Sequence, residues 1–278
     1  MPHLRLTRPV VPWNRTGNAP PAAGARIRRG RSVAIALTAV LLLFTALEFD
    51  AVWRGQVARG WIGGDLAVYL AVARRWIETG ALFAPSQLAG PYTNVSAWLP
   101  DGVENLYPPP AVLLFVPFLV LPAILWWAIP LGIIVAGVIY WKPAWWSWPV
   151  LAALLVPVQF SAGISTGNTT IWVVAALMLA TRWPAAAILL ALKPSFFLFA
   201  LPFARHRSWW LAALVLGLGS LLFLPSWPSW WRASQNFDGN AAALPLGSVL
   251  LYGWTAIPLL LVPFVVRGAA RRSRAALT

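Results

Sequence analysis

A long stretch almost without charge restricts this chain more than any other feature. From Pro110 to Leu224 the sequence is nearly continuously apolar and contains no acidic residue. Across the whole chain 60% of the residues are hydrophobic and 10% are charged, against roughly 45–50% and 25% in soluble domains. A folded domain in water has too little polar surface to cover so much apolar chain. A water-soluble monomer is therefore excluded.

The apolar segments predict membrane-spanning helices. Within lipid, only α-helices and closed β-barrels satisfy the backbone hydrogen-bonding groups. The sequence has no series of segments of about ten residues with alternating hydrophobicity, which a barrel requires. The apolar part of the chain is long enough for about eight crossings at roughly 20 residues each. We therefore predict an all-α, polytopic transmembrane helix bundle of about eight spans.

The positive charge of the chain lies mainly at its two ends. There are 21 Lys and Arg residues and 7 Asp and Glu residues, which gives a net charge of +14. By the positive-inside rule this distribution indicates membrane topology rather than a nucleic-acid surface. We expect a multi-pass protein of the plasma membrane with both termini in the cytoplasm. The terminal basic residues are Arg5, Arg8, Arg15, Arg26, Arg28, Arg29 and Arg31, then Arg267, Arg271, Arg272 and Arg274.

The same pattern divides the chain into regions. Residues 1–31, rich in Pro, Gly, Ala and Arg, are expected to form a disordered basic arm. Residues 32–266 form the predicted transmembrane domain, and residues 267–278 a basic cytoplasmic tail. Two polar loops, 54–108 and 225–246, are expected outside the cytoplasm. The first helix is expected to stay uncleaved and to run to about Trp53.

The sidedness of the middle of the chain stays open. Counting every apolar block as one crossing places Arg182 outside and Asn168 inside. The charges alone favour Lys142 and Arg182 inside. Half-length or re-entrant helices around Pro122 or the Lys193-Pro194 pair would reconcile the two assignments.

The first loop contains a segment with the start and stop signals of a helix. It lies between Gly63 and Gly80 and carries Asp65 near its start. Its apolar residues recur at helical spacing, which predicts an amphipathic helix on the outer membrane surface. Asp65 is interpreted either as the N-cap of this helix or as a functional carboxylate at the membrane boundary. The apolar face consists of Leu66, Tyr69, Leu70, Ala73 and Ile77.

Three further polar points interrupt apolar surroundings. Tyr107 precedes three prolines, which indicate a stiff entry into the next helix. Asn168 lies in a short polar run. Lys193 is flanked by apolar residues, so it is either a functional group or a lysine that snorkels to an interface. Paired tryptophans such as Trp126-Trp127 are interpreted as interfacial anchors.

Taken together in this order, the polar motifs resemble those of glycosyltransferase family 87. The family is similar to the polyprenyl-phosphate-mannose-dependent alpha-mannosyltransferases, which have the GT-C membrane fold, and the resemblance implies a member shortened at its C-terminus. The likeness covers roughly Val33 to Arg207. The motifs are Gly-Asp-Leu-Ala-Val-Tyr (Gly64 to Tyr69), Tyr-Pro-Pro-Pro (Tyr107 to Pro110), Gly-Asn-Thr-Thr (Gly167 to Thr170) and Lys-Pro-Ser (Lys193 to Ser195).

The resemblance implies a membrane enzyme of the cell envelope. It would move a hexose, with mannose favoured, from a polyprenyl-phosphate sugar to a lipid or glycan acceptor outside the cytoplasm, with inversion. Asp65 matches the position of the general base, which must take a proton from the acceptor hydroxyl. Arg74, Arg75 and Lys193 are the candidates for the phosphate. Tyr69, Tyr107 and Asn168 complete the substrate-binding residues; Tyr69 would line the sugar site or pack on lipid.

No metal or other cofactor is expected. The chain has no cysteine and two histidines, and it lacks an Asp-x-Asp pair that would hold a metal on a sugar nucleotide. Two other classes of function stay open: a transporter or lipid flippase, with Lys193 as a substrate counter-charge, and a non-catalytic membrane subunit. The spans lack acids apart from Glu48 and Asp50, which favours the enzyme over a proton-coupled transporter.

The predicted topology is testable because the chain has no cysteine of its own. In the variant Ser86→Cys the new thiol should react with a membrane-impermeant reagent in intact cells, since the first loop is placed outside. Labelling that occurs only after cell lysis would overturn this orientation.

Overall fold

The fold is all-helical wherever the chain is described. The computed structural model describes residues 21–91, 106–236 and 257–275, and these ranges contain helices and turns but no strand. The predicted all-α class is confirmed for these residues. The α-helices are α1 (Pro21–Ala58), α2 (Gly64–Thr79), α3 (Pro85–Ala89), α4 (Val112–Phe115), α5 (Leu125–Trp141), α6 (Trp148–Ala153), α7 (Val158–Thr166), α8 (Thr170–Ala180), α9 (Arg207–Ser220), α10 (Trp227–Asn236) and α11 (Ile257–Ala275).

Short 3₁₀ helices connect several of these elements, often where prolines interrupt the α-helical pattern. Two of them, Pro184–Leu192 and Pro194–Phe203, follow one another and meet at Lys193. The others are Pro109–Ala111, Val116–Leu119, Trp145–Ser147 and Leu221–Ser226.

Two helical stretches of the described chain are long and apolar enough to cross a membrane, Arg28–Ala58 and Arg207–Asn236. The pair Phe160–Thr166 and Thr170–Ala180 makes a third if it counts as one bent span. Other apolar helices, such as Leu125–Trp141, have 10–17 residues, fewer than the roughly 20 of a simple crossing. The chain is a membrane-protein-like helical bundle, and the number of about eight spans stays a prediction.

Several helices extend beyond the boundaries that the sequence suggested. Helix α1 begins at Pro21, inside the expected disordered arm, and continues past Trp53 to Ala58. Ala and Arg are good helix formers, so they extend the apolar helix into the basic region. Residues 225–236 of the second expected loop are helical, and α11 continues through 267–275 of the expected tail. Residues 1–20, 92–105, 237–256 and 276–278 lie outside the described residues.

Helix α2 matches the predicted amphipathic segment. It is flanked by Gly63 and Gly80, both in the left-handed conformation. It buries Leu66, Tyr69, Val72 and Ala73, although Ile77 of the predicted apolar face is 58% exposed. The buried face packs into a core cluster with Phe115, Phe118 and Trp126.

Contacts between helix ends show that Lys142 and Arg182, which follow α5 and α8, lie near each other and away from the polar run at Asn168. The Trp141 indole N–H donates to the Thr181 hydroxyl at 2.8 Å, and the Arg267 guanidinium lies 5.7 Å from the Trp141 ring centroid. At the opposite end, the Gly63 N–H donates to the Ser165 carbonyl. Lys142 and Arg182 therefore share one end of the bundle and Asp65 and Asn168 the other, as the charge-based assignment requires. After Arg182, the first of the two 3₁₀ helices brings the chain back to the other end, where Lys193 donates to the Asn168 oxygen.

The crossing of α5 and α8 depends on a glycine. A methyl group added at Gly137 would overlap the Met178 side chain, which is 2% exposed. Gly132, on the same helix α5, has no neighbouring atom within 4 Å of such a methyl group. Replacing glycine raises the helix propensity at both positions, but only at Gly137 does the new side chain collide with a neighbour. Comparing the two variants therefore distinguishes the cost of overpacking from the gain in helix propensity.

We expect Gly137→Leu to destabilise the protein by about 1–3 kcal/mol, the usual cost of overpacking a filled interior. The matched variant Gly132→Leu should unfold at or above the wild-type temperature. Thermal unfolding in detergent, followed by tryptophan fluorescence, measures both. Equal melting temperatures for the two variants would contradict the close crossing.

Candidate functional site

The site is built on a break between two helices. Helix α7 ends at Thr166, α8 begins at Thr170, and the chain bends by 109° between them. Gly167 has φ 76°. Its missing Cβ would lie 3.1 Å from both the Leu66 Cβ and the Trp127 ring. Only glycine fits this position, because the left-handed backbone and the close approach of α2 both exclude a side chain.

Three donors bind backbone carbonyl groups at the end of α7. The Trp126 indole N–H donates to the Gly167 carbonyl and the Trp127 indole N–H to the Ile164 carbonyl, each at 2.7 Å. The Gly63 backbone N–H donates to the Ser165 carbonyl at 2.8 Å. The starts of α5 and α2 are thereby fixed to the break. This tryptophan pair supports the polar site and is not the interfacial anchor that the sequence suggested.

Asp65 projects from the first turn of α2 onto the break. Its Oδ2 atom accepts hydrogen bonds from the Thr166 hydroxyl and from the Asn168 side-chain amide, both at 2.8 Å. It makes no cap bond, since the N-cap position of α2 is Gly63, without a side-chain hydrogen bond. The other oxygen, Oδ1, accepts no hydrogen bond from the residues that the structure describes. The N-cap interpretation of Asp65 is therefore wrong.

The Asn168 amide joins Asp65 to Lys193. Its nitrogen donates to Asp65, and its oxygen accepts from the Lys193 ammonium at 3.0 Å. The same oxygen accepts from the backbone N–H and the hydroxyl of Thr170 at 3.0 and 2.7 Å. Three donors occupy the amide oxygen and one N–H is bound to Asp65, so Asn168 orients the two charged groups.

Lys193 directs its ammonium into the interior of this cluster. It donates to Asn168 and, at 3.0 Å, to the Thr170 hydroxyl. It also lies 5.0 Å from the ring centroid of Phe196 and 6.0 Å from that of Tyr107. No carboxylate of the described ranges forms an ion pair with it. An ammonium has three donors, and two are used here, which leaves one for an anion. This geometry differs from that of a lysine snorkelling outward.

Two tyrosines extend the cluster. The Tyr69 and Tyr107 hydroxyls are 3.1 Å apart, and the Tyr107 hydroxyl lies 2.6 Å from the Thr169 hydroxyl. Burial raises the pKa of Tyr69 well above its ordinary value, with smaller contributions from Tyr107 and Asp65. Its phenol therefore stays neutral near neutral pH. The Tyr69 ring stacks on Phe115 at 4.7 Å, so Tyr69 supports Tyr107 from within the core.

The two arginines of α2 are not part of the cluster. Arg74 is exposed and Arg75 half-buried, and neither forms a hydrogen bond or ion pair with Asp65, Asn168 or Lys193. Burial lowers the pKa of Arg75. Nine helical residues, about 13.5 Å along the axis, separate Asp65 from Arg74. Of the three phosphate candidates, only Lys193 lies beside Asp65.

An apolar cavity opens beside Lys193. The space amounts to about 450 Å³, part of it open to solvent, and Tyr107, Thr169 and Lys193 contribute polar side chains to its lining. The rest of the lining is apolar and comes from residues around α4, from α8 and from the 3₁₀ helix Pro184–Leu192. An anionic head group with an attached hydrocarbon chain fits this distribution of charge and apolar surface.

Comparisons of the chain with protein-family models, with curated proteins and with solved structures find no match. The resemblance to glycosyltransferase family 87 therefore rests on the sequence motifs alone.

The sequence brought out Asp65, Lys193 and the neutral residues Asn168, Tyr69 and Tyr107, but it missed the threonine hydroxyls of the cluster. Thr166, Thr169 and Thr170 supply hydroxyl groups to Asp65, Tyr107 and Asn168 respectively. The signal was the density of hydroxyls around Gly167-Asn168 in an otherwise apolar region. Trp126 gave no such signal, because its partner is a backbone carbonyl distant in sequence.

Proposed function

We propose that this chain is an integral-membrane glycosyltransferase. It transfers a hexose, with mannose favoured, from a polyprenyl-phosphate sugar to a lipid or glycan acceptor, with inversion, on the outer side of the plasma membrane. The observation that carries the proposal is the Asp65–Asn168–Lys193 cluster, which holds a carboxylate and an ammonium on the two sides of one amide beside an apolar cavity. A GT-C arrangement of about eight spans, with both termini in the cytoplasm, belongs to the same proposal.

Asp65 is the proposed general base. Two donors hold Oδ2 in place, while Oδ1 is left to accept a proton from the acceptor hydroxyl. As the proton moves to Oδ1, the acceptor oxygen bonds to the anomeric carbon of the sugar. The bond between that carbon and the phosphate oxygen breaks from the opposite face, and its electron pair leaves with the polyprenyl phosphate.

Lys193 is the proposed partner of the donor phosphate. Its third N–H and its positive charge stabilise the anion that leaves, in a setting with low dielectric where such an interaction is strong. The apolar cavity beside it receives the first part of the polyprenyl chain. Tyr107, which lines the same cavity, orients the head group.

The test of this function is direct. Membranes that contain the chain are incubated with a radiolabelled polyprenyl-phosphate sugar, and the products are examined for labelled lipid or glycan. Transfer above that of membranes without the chain supports the proposal. Movement of the labelled donor across the bilayer without transfer would instead identify a flippase, and neither activity would leave a non-catalytic membrane subunit.

We expect Asp65→Asn to lower the turnover number by about 10²–10⁴-fold, the usual contribution of a general base. The protein should remain folded, because the Asn side-chain oxygen still accepts the hydrogen bonds of Thr166 and Asn168. Transfer rate, donor affinity and melting temperature are measured at equal expression. Near-wild-type turnover with an unchanged melting temperature would remove Asp65 from the catalytic role.

We expect Lys193→Met to weaken donor binding by about 10- to 100-fold, since a charged hydrogen bond contributes about 1.5–3 kcal/mol. The Asn168 oxygen keeps two donors from Thr170 in this variant, so the cluster should persist. Lys193→Arg should retain part of the affinity, because the charge is kept. Binding of a polyprenyl-phosphate sugar in nanodiscs is the measurement. An unchanged dissociation constant for Lys193→Met would contradict the phosphate contact.

A further inference from the structure

A second apolar cavity lies on the other side of α8. The space amounts to about 660 Å³, part of it open to solvent, and α5, α7, α8 and α11 all contribute to its lining. Thr170 is the one residue of the lining with a polar side chain, and no charged side chain takes part. The cavity therefore suits a neutral, largely hydrocarbon ligand.

Helix α8 is the wall between the two cavities. Thr169, Trp172, Val173 and Ala176, spaced at three and four residues, line the cavity beside Lys193. Thr170, Ile171 and Val174 line the second cavity. The two sets lie on different faces of the helix.

Both cavities reach the same polar cluster. Lys193, in the lining of the first cavity, donates to the Asn168 oxygen at 3.0 Å. Thr170, in the lining of the second, donates its hydroxyl hydrogen to the same oxygen at 2.7 Å. The nitrogen of that amide donates to Asp65. The Asn168 amide thus lies between the Asp65 carboxylate on one side and, on the other, both Lys193 of the first cavity and Thr170 of the second.

We propose that the second cavity binds the hydrocarbon chain of the acceptor, and that the acceptor is therefore a lipid bearing a hydroxyl group on its head. This inference rests on the proposed transfer reaction. The charge of the linings assigns the two substrates: the anionic donor beside Lys193, and the acceptor, neutral at its reacting end, beside Thr170. Filling an apolar cavity with hydrocarbon is favourable by the hydrophobic effect, and a water-soluble acceptor would leave the second cavity unused.

Val173 and Val174 provide a matched pair of test positions. They are adjacent on α8, 5% and 6% exposed, and face the first and the second cavity respectively. The change Val174→Phe fills part of the second cavity, and Val173→Phe part of the first. Both add the same volume to the same helix, so a general loss of stability affects them equally.

The kinetic arm compares hexadecyl mannoside with methyl mannoside as acceptors. Val174→Phe should raise KM for hexadecyl mannoside at least tenfold, while KM for methyl mannoside and the donor dissociation constant stay at wild-type values. Val173→Phe should weaken the donor and leave KM for hexadecyl mannoside unchanged. An unchanged KM for hexadecyl mannoside in Val174→Phe would overturn the assignment of the cavity.

The binding arm does not depend on sugar transfer. A hexadecyl mannoside with a diazirine in its alkyl chain is photocrosslinked to the protein in nanodiscs, and the labelled peptides are mapped. Label on α7, α8 and α11 that is lost in Val174→Phe and kept in Val173→Phe supports the site. If a phosphatidylcholine, which lacks a hydroxyl group, reduced the labelling as strongly as unlabelled hexadecyl mannoside does, the acceptor assignment would be overturned. Site-specific labelling without any transfer by the wild type would overturn the proposed function and retain the lipid site.

Discussion

The interruption between α7 and α8 is the constraint on which the rest of the site depends. A helix that stops inside an apolar bundle exposes backbone groups that cost about 1–3 kcal/mol each when buried without a partner. Here the Trp126 and Trp127 indoles and the Gly63 N–H supply the partners. Since these donors come from α5 and from the start of α2, the break determines where both helices begin. Asp65, two residues after Gly63, is consequently held at the break.

Asp65 and Lys193 are joined through the Asn168 amide and not in a direct ion pair, so each can still bind a ligand. A buried ion pair satisfies its partners with each other and is costly to separate. In this cluster Asn168 lies between Asp65 and Lys193, and its two ends match a carboxylate and an ammonium. One carboxylate oxygen and one ammonium hydrogen therefore remain for ligands. The hydroxyls of Thr166 and Thr170 complete the shell without adding charge.

Local patterns predicted single elements of this protein well, and long-range pairings poorly. The glycines at the two ends of α2 and its apolar spacing were sufficient to predict the helix, and a polar residue in apolar surroundings was sufficient to select Asp65, Asn168 and Lys193. Their association across more than one hundred residues needed the fold. Helical rise alone separates Arg74 from Asp65, and grouping the charges by loop instead of by distance along the helix did not reveal this separation. The start of α1 was missed because low apolar content was equated with disorder.

The short helices of the bundle set the distance between the cluster and the basic end. Helix α5 connects the break, through Trp126, to the basic end at Trp141, and its 17 residues span about 25 Å. A bilayer's hydrocarbon layer is about 30 Å thick. In the proposed orientation, which puts Lys142 and Arg182 at the level of the lipid head groups, the cluster lies inside that layer and not above it. Reacting groups that enter from the membrane on hydrocarbon chains reach such a depth more readily than a hydrated sugar from water does, because the latter must shed its hydration first. In the proposed orientation, the depth of the site and the two apolar cavities are both consistent with the transfer between two lipids that we propose.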